Sequence, residues 1–92
     1  MWIRSQDKKY FIEVNAFEIK RIGNVYFVIG YHTENSNDDI YWYFGNYSSE
    51  EKAIKVLDMI QEKIMHGNRL IKKDKYDLRI DAVFEMPKEY EV

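Results

Sequence analysis

The chain has 92 residues, of which 46% are hydrophobic, 16% aromatic and 33% charged, and its net charge at pH 7 is −2. A net charge so close to zero argues against a protein that binds duplex nucleic acid or imitates it. The composition, with four glycines and one proline, is typical of a globular domain rather than a disordered or fibrous chain. A chain of this length supports one hydrophobic core, so we expect residues 1–92 to form a single domain.

The chain contains no cysteine, so it has neither a disulfide framework nor a thiolate ligand for a metal. Its sequence turns polar directly after Ile3, which is unlike a signal peptide. No apolar run approaches the roughly 20 residues of a membrane-spanning helix. We therefore expect a cytoplasmic protein that does not bind membranes.

A short strand is predicted over residues 2–5, followed by a polar turn over residues 5–9. Apolar and polar residues then alternate over residues 10–22, and the parity of this alternation shifts at Ala16-Phe17. Such a shift indicates a β-bulge within one continuous strand.

The Gly-Asn pair at positions 23–24 predicts a two-residue hairpin turn, because both residue types accept the positive φ of the turns that match strand twist. The strands on either side of this turn should therefore pair antiparallel. The register pairs Ile22 with Val25, Ile19 with Val28 and Phe17 with Gly30.

Residues 25–29 and 40–44 are apolar or aromatic at both parities. Because successive side chains of a strand point to opposite faces, such strands present apolar surface on both sides of their sheet. A polar loop is expected over residues 33–39, and the fourth strand over residues 40–46.

One amphipathic helix is predicted from Ser48 to His66. Ser48 and Glu51 have the spacing of a reciprocal cap at the helix start, and the Gly-Asn pair at 67–68 predicts its end. The apolar residues of the helix fall in one stripe that should pack on the sheet: Ala53, Val56, Leu57, Ile60 and Ile64.

Residues 79–86 alternate as a final strand that ends at Pro87, whereas residues 69–77 show no clear element. The predicted fold is α+β, an antiparallel meander of four to five strands with the helix packed on one face. The predicted core consists of Ile12, Val14, Phe17, Ile19, Val28, Ala53, Leu57, Ile60, Ile64 and Phe84.

No catalytic, metal-binding or cofactor-binding motif is present. His32 and His66 have no cysteine or second histidine near them in sequence, and the acidic residues at 34, 38 and 39 lack the spacing of a calcium loop. No serine lies in a Gly-x-Ser-x-Gly motif, and the glycines do not form a phosphate-binding loop. We therefore expect no enzyme activity, no metal site and no cofactor.

Two apolar sheet faces and a single helix leave one aromatic face uncovered, and such a face is typical of a contact with another protein. The sequence therefore predicts a homo-oligomer and a second protein partner. The candidate binding residues are Phe27, Ile29, Tyr31, Tyr41, Trp42, Tyr43, Arg4 and Lys20.

Two alternatives remain open for the same residues. One is that the rings only fill the core and the sheet surface, where aromatic residues are common. The other is a binder of nucleotides or single-stranded nucleic acid, in which Trp42 or a tyrosine stacks on a base while Arg4 or Lys20 contacts phosphate.

Three segments of the chain resemble known sequences. They are residues 1–8 (MWIRSQDK), residues 83–88 (VFEMPK) and a set of positions around the helix start, namely Gly45, Tyr47, Glu51, Ala53, Val56, Leu57, Asp58, Ile60 and Gln61. In these segments the chain resembles a group of small uncharacterised proteins of phages and prophages of Gram-positive bacteria.

This resemblance implies an accessory protein of a mobile element, located in the cytoplasm of the host cell. Proteins in this setting often bind host machinery or defence components. The resemblance carries over no catalytic or binding residue. Together with the uncovered face, it leads us to expect a non-enzymatic interaction module that self-associates and binds a host or viral protein.

Overall fold

The computed structural model describes residues 1–34, 40–73 and 83–92, with side chains for all of these except 66–73. Residues 35–39 of the predicted loop, residues 74–77 of the unassigned connector and residues 79–82 of the last predicted strand lie outside the described residues.

The described ranges contain six strands and one α-helix, followed by a short 3₁₀ turn. They are β1 (Trp2–Arg4), β2 (Phe11–Glu13), β3 (Ala16–Ile22), β4 (Val25–Tyr31), β5 (Trp42–Tyr47), α1 (Glu50–Lys73), β6 (Val83–Glu85) and the 3₁₀ turn Glu89–Glu91. The strands form two three-stranded sheets, with the orders β2-β1-β6 and β3-β4-β5. The predicted α+β class is confirmed, and β3, β4 and β5 form the predicted antiparallel meander.

The predicted polar turn after residue 5 joins β1 and β2 as an antiparallel hairpin, and Ser5 makes the central hydrogen bonds of this turn. The Ser5 N–H donates to the carbonyl of Tyr10 at 3.0 Å, and the Ser5 hydroxyl donates to Oδ1 of Asp7 at 2.7 Å. The same hydroxyl accepts from the N–H of Tyr10 at 3.2 Å. Ser5 is buried without an unpaired polar atom, and its hydrogen bond lowers the pKa of Asp7.

The prediction of one bulged strand over residues 10–22 was wrong. β2 ends at Glu13 in the first sheet, and β3 begins at Ala16 in the second. Val14 and Asn15 connect β2 to β3. Val14 is fully buried in the core, and the side chain of Asn15 forms hydrogen bonds with both the N–H and the hydroxyl of Thr33. The parity shift in the sequence marks the passage of the chain from one sheet to the other.

The β3–β4 hairpin has the predicted register, with Ile22 opposite Val25 and Ile19 opposite Val28. Gly23 has a φ of 62°, which a tight hairpin turn requires and which glycine adopts without steric cost. Val28 is fully buried beneath α1, so this face of the sheet is the core side.

A β-bulge in β5 decides where its aromatic side chains point. Val28 pairs with Gly45 but Ile29 pairs with Tyr43, so Phe44 is an extra residue in the ladder. Phe44 packs into the core directly against Gly30, where a Cβ atom would lie 2.6 Å from the Phe44 ring. Only glycine permits this approach.

The start and the end of α1 both differ from the prediction. Ser49 caps the helix by accepting from the N–H of Lys52 at 3.2 Å, so the predicted Ser48–Glu51 cap is wrong. The helix continues to Lys73, so the predicted end at residues 67–68 is wrong as well. A glycine inside a helix costs only about 1 kcal/mol relative to alanine, and the arginine, leucine and lysines that follow are good helix formers.

The core lies between the two sheets and α1. It is made of Ile3, Val14, Val28, Phe44, Tyr47, Ala53, Val56, Ile60, Phe84 and Met86. Of the predicted core, Val14, Val28, Ala53, Ile60 and Phe84 are buried, while Ile12, Phe17, Ile19 and Leu57 are partly buried against it.

Ile64 was predicted to be core but is 38% exposed. The buried core residues of α1 are Ala53, Val56 and Ile60. Among the described side chains of the helix, the buried part of the apolar stripe therefore ends one helical turn before Ile64.

The segment from Pro87 to Glu89 forms hydrogen bonds and an ion pair with residues at the start of α1 and directly before it. Glu89 accepts from the N–H of Ser48 at 2.6 Å and forms an ion pair with Lys52. The buried hydroxyl of Tyr47 donates to the carbonyl of Pro87 at 2.7 Å. The hydrogen bond from Lys52 lowers the pKa of the Glu89 carboxyl, and burial raises the pKa of the Tyr47 phenol.

Ile60 is 2% exposed in the core. We expect Ile60→Ala to lower the free energy of unfolding by about 2–5 kcal/mol, because it removes buried methyl groups and leaves a cavity. Ile64→Ala, one helical turn later, should cost less than about 1 kcal/mol. Urea denaturation followed by circular dichroism measures both values, and equal losses would contradict the described core.

Because the Glu89 pKa is lowered in the folded chain, its stabilising effect is complete above the unfolded value, ordinarily 4.5. That effect is lost as pH falls through the lowered folded value. We expect Glu89→Gln to lower Tm near neutral pH and to differ little from wild type at about pH 3. Glu13→Gln is the control, since Glu13 forms no ion pair with any described residue. A pH-independent difference would argue against the ion pair.

Candidate functional site

The second sheet has an aromatic face that α1 does not cover. Val28 of β4 and Ile19 of β3 point to the core, so their strand neighbours point to the opposite side. We call this opposite side the aromatic face. It consists of Glu18, Lys20, Ile22, Val25, Phe27, Ile29, Tyr31 and Tyr43, together with Tyr41, which contacts Lys20 and Tyr43.

The rings of the aromatic face pack on one another. Phe27 meets Tyr43 edge to face with 5.0 Å between ring centroids, and Tyr41 meets Tyr43 in the same way at 5.5 Å. Edge-to-face pairs at these distances are attractive beyond their buried area. Ile29 lies among these side chains and is 6% exposed. The centre of the face is therefore ordered without any outside partner.

Both charged groups of the face are hydrogen-bonded to phenols. The Lys20 ammonium donates to the hydroxyl of Tyr41 at 2.6 Å and lies 4.8 Å from the centre of that ring. This hydrogen bond raises the pKa of Lys20, and the contact with Tyr41 raises the pKa of Tyr43. Glu18 accepts from the hydroxyl of Tyr31 at 3.1 Å.

Solvent reaches the apolar rim of the face. Ile22 is 48% exposed and Val25 37% exposed at the tip of the hairpin, and Tyr43 is 39% exposed toward β5. Exposed apolar side chains are ordinary when they are scattered over a surface, but a contiguous group on one face is typical of an interaction site.

The structure brings together six of the eight predicted binding residues and separates two. The aromatic face contains Phe27, Ile29, Tyr31, Tyr41, Tyr43 and Lys20. Trp42 lies opposite Gly30 on the core side and packs against the core. Arg4 belongs to the first sheet, where its guanidinium donates to the carbonyl of Lys8 at 3.2 Å. The nucleotide alternative thus retains Lys20 and the tyrosines on this face, without Trp42 and Arg4.

Sequence reasoning did not select Glu18, Ile22 and Val25 as site residues. The signal for them was present, because the Gly-Asn turn fixes the register that places Ile22 beside Val25 on the side of Phe27. Their alternation with the core residues of the same strands is enough to assign them to the aromatic face.

In the described ranges no three histidine, aspartate or glutamate side chains lie close enough to hold a metal ion. Within the same ranges, every buried polar side-chain atom has a hydrogen-bond partner. No described helix is both long enough and apolar enough to cross a membrane.

Comparison of the chain with protein-family profiles, with curated proteins and with solved structures finds no match. Function is therefore inferred from the geometry of the aromatic face.

Proposed function

We propose that this chain is a non-enzymatic interaction module, an accessory protein of the phage or prophage type. It associates with a second copy of itself and binds a host or viral protein, and the aromatic face is its recognition surface. The observation that carries the proposal is the contiguous apolar face with Ile22, Val25 and Tyr43 exposed, on the side of the sheet away from α1.

The shape of the face favours a protein partner. Small-molecule sites are concave and enclose most of their ligand, whereas the face of a three-stranded sheet is broad and open. Tyrosine and phenylalanine are enriched at the centres of protein interfaces, where they combine a large apolar area with few rotatable bonds. Tyr43 has this character, with its ring half-exposed and in contact with Phe27 and Tyr41.

The packing of the face lowers the entropic cost of binding. Immobilising a free side chain at an interface costs about 0.5–1.5 kcal/mol. Tyr41 and Tyr43 are already held by their mutual contact, and Lys20 is held by Tyr41. A partner that covers these side chains orders few groups that are not ordered beforehand.

The hydrogen bonds of the two charged side chains also favour a protein partner. A buried charge without a partner weakens an interface strongly, because its lost hydration is not replaced. On the aromatic face Glu18 and Lys20 each retain a phenol partner within the chain. A partner can therefore cover the rings in the middle of the face while Glu18 and Lys20 each keep one hydrogen bond within the chain.

The aromatic face is tested by replacing its exposed apolar side chains with threonine, which retains high strand propensity. We expect Val25→Thr/Tyr43→Thr to lose most of the fluorescence of a hydrophobic dye that the wild-type chain binds. The matched control is Ile54→Gln/Met59→Gln, because Ile54 and Met59 expose similar apolar fractions on α1. Their removal should leave dye binding unchanged.

Circular dichroism establishes that each variant is folded, and sedimentation velocity over a concentration series measures self-association. A wild-type chain that binds no dye and sediments as a monomer at high micromolar concentration would contradict the proposed function. Equal loss of dye binding in the control variant would contradict the assignment of the face.

A further inference from the structure

The two edges of the β3-β4-β5 sheet differ in their hydrogen bonding, and the β5 edge is closed by one residue. Gln6 donates its backbone N–H to the carbonyl of Phe44 at 2.7 Å. Its side-chain amide accepts from the N–H of Asn46 at 3.1 Å and donates to the carbonyl of the same residue at 3.2 Å. The carbonyl of Phe44 and both outward backbone groups of Asn46 are thus paired within the chain.

Among the described strands, none pairs with the outer edge of β3. In a two-residue hairpin the residues beside the turn, here Ile22 and Val25, exchange both backbone hydrogen bonds, and every second pair does the same. The backbone groups of the intervening residues Phe17, Ile19 and Arg21 therefore point away from β4. In the part of the chain that the structure describes, nothing hydrogen-bonds to them.

We propose that a second copy of this chain pairs antiparallel with β3 along this edge, about a two-fold axis at Ile19. This inference rests on the proposed function in one respect, since it takes a second copy to be one of the partners. It adds the place and the register of the contact. The second copy lies beside the aromatic face rather than on top of it.

This register satisfies every outward backbone group of β3. Ile19 pairs with Ile19 of the second copy, and Phe17 pairs with Arg21 of the second copy on both sides of the axis. In an antiparallel ladder, two opposite residues whose backbone groups point toward each other exchange two hydrogen bonds. Each of these pairs is of that kind. The β3-β4-β5 sheets of the two copies become one sheet of six strands, and both aromatic faces lie on the same side of it.

Only in this register do charged side chains of β3 face side chains of opposite charge on the second copy. Glu18 lies opposite Lys20 of the second copy, twice by symmetry, and opposite charges in directly facing positions stabilise a pair of strands. The Lys20 ammonium has three donors, of which Tyr41 takes one. Ile22, which is 48% exposed, comes to lie opposite Ala16 of the second copy.

Other registers of the same edge bring like charges together or pair no charges. An axis at residue 18, 20 or 21 places Glu18, Lys20 or Arg21 opposite its own copy. An axis at Phe17 places Glu18 opposite Ala16 and leaves Lys20 without an acidic partner. Since like charges in facing positions are destabilising, the axis at Ile19 is the favoured one.

The experiment uses charge reversal with rescue by mixing. Glu18→Lys alone or Lys20→Glu alone places like charges opposite each other in both symmetric positions, so each variant should dimerise at least about tenfold more weakly than wild type. An equimolar mixture of the two variants restores both opposite-charge pairs across the interface. We expect a heterodimer of nearly wild-type affinity.

The mixture separates interface pairing from effects within one chain. Each variant loses its contact with Tyr31 or Tyr41, and mixing does not restore those contacts, so rescue reports only on the facing strands. Sedimentation equilibrium measures the dissociation constants. If wild type dimerises and mixing gives no rescue, the proposed register is overturned.

A backbone variant tests the edge independently of charge. Arg21→Pro removes an outward N–H that the β3–β4 ladder does not use, so the chain should fold and should not dimerise. Arg21→Gln is its control and should dimerise more like wild type than Arg21→Pro does. Dimerisation of a folded Arg21→Pro variant at wild-type affinity would overturn the edge pairing.

The face variants distinguish failure of this inference from failure of the proposed function. If Val25→Thr/Tyr43→Thr abolishes dimerisation while the β3 variants do not, the second copy covers the aromatic face and the edge pairing is wrong. A wild-type chain that is monomeric yet binds dye at the aromatic face overturns the edge pairing and the self-association, and it leaves the aromatic face as the recognition surface for another protein. Dimerisation that depends on β3, with no dye binding at the face, overturns only the role of the face.

Discussion

The hydrogen bonds of Gln6, which follows β1 of the first sheet, connect that sheet to β5 of the second sheet. A primary amide has a donor side and an acceptor side, so it can take the place of a peptide group beside a strand. Gln6 does so along Phe44 and Asn46, and its amide also donates to the carbonyl of Pro87 at 3.1 Å. The β1–β2 turn is thereby fixed to one edge of the second sheet. The first sheet and α1 contribute to one core on one side of the second sheet, and the opposite side of the second sheet is left to its own aromatic side chains.

Most of the fold could be predicted where its signals are local. The turn at Gly23 fixes the β3–β4 register, and the apolar spacing of α1 identifies Ile60 as core, because both signals lie within a few residues of the structure that they determine. The attachment of the start of α1 to the carboxyl-terminal segment could not be predicted in the same way, since Glu89 lies 41 residues along the chain from Ser48, from whose N–H it accepts a hydrogen bond. The closure of β5 by Gln6 has the same character. Neither contact has a sequence spacing from which it could be read.

The candidate site could be predicted in outline but not in detail. Alternation alone assigns Phe27 and Ile29 to one face, and the hairpin register adds Lys20. The bulge at Phe44 then changes the outcome for β5, because one extra residue turns Tyr43 to the aromatic face and Tyr47 to the core. A regular strand would have placed both tyrosines on the same side. Bulges of this kind depend on tertiary packing, here on the contact between Phe44 and a glycine of β4, and the sequence of β5 alone does not indicate it.

β3 contributes side chains to the aromatic face and also forms the unpaired edge of the described sheet. These two positions account for the charged residues in this strand. Natural proteins protect exposed strand edges with charged residues, and β3 carries Glu18, Lys20 and Arg21. Charges of one sign would protect the edge as well, and they would give no register in which a second copy is attracted. Opposite charges on either side of Ile19 instead repel in most registers and attract in one. The same two residues are held on the aromatic face by Tyr31 and Tyr41. Pairing at the edge would therefore align two aromatic faces and leave them free for another protein.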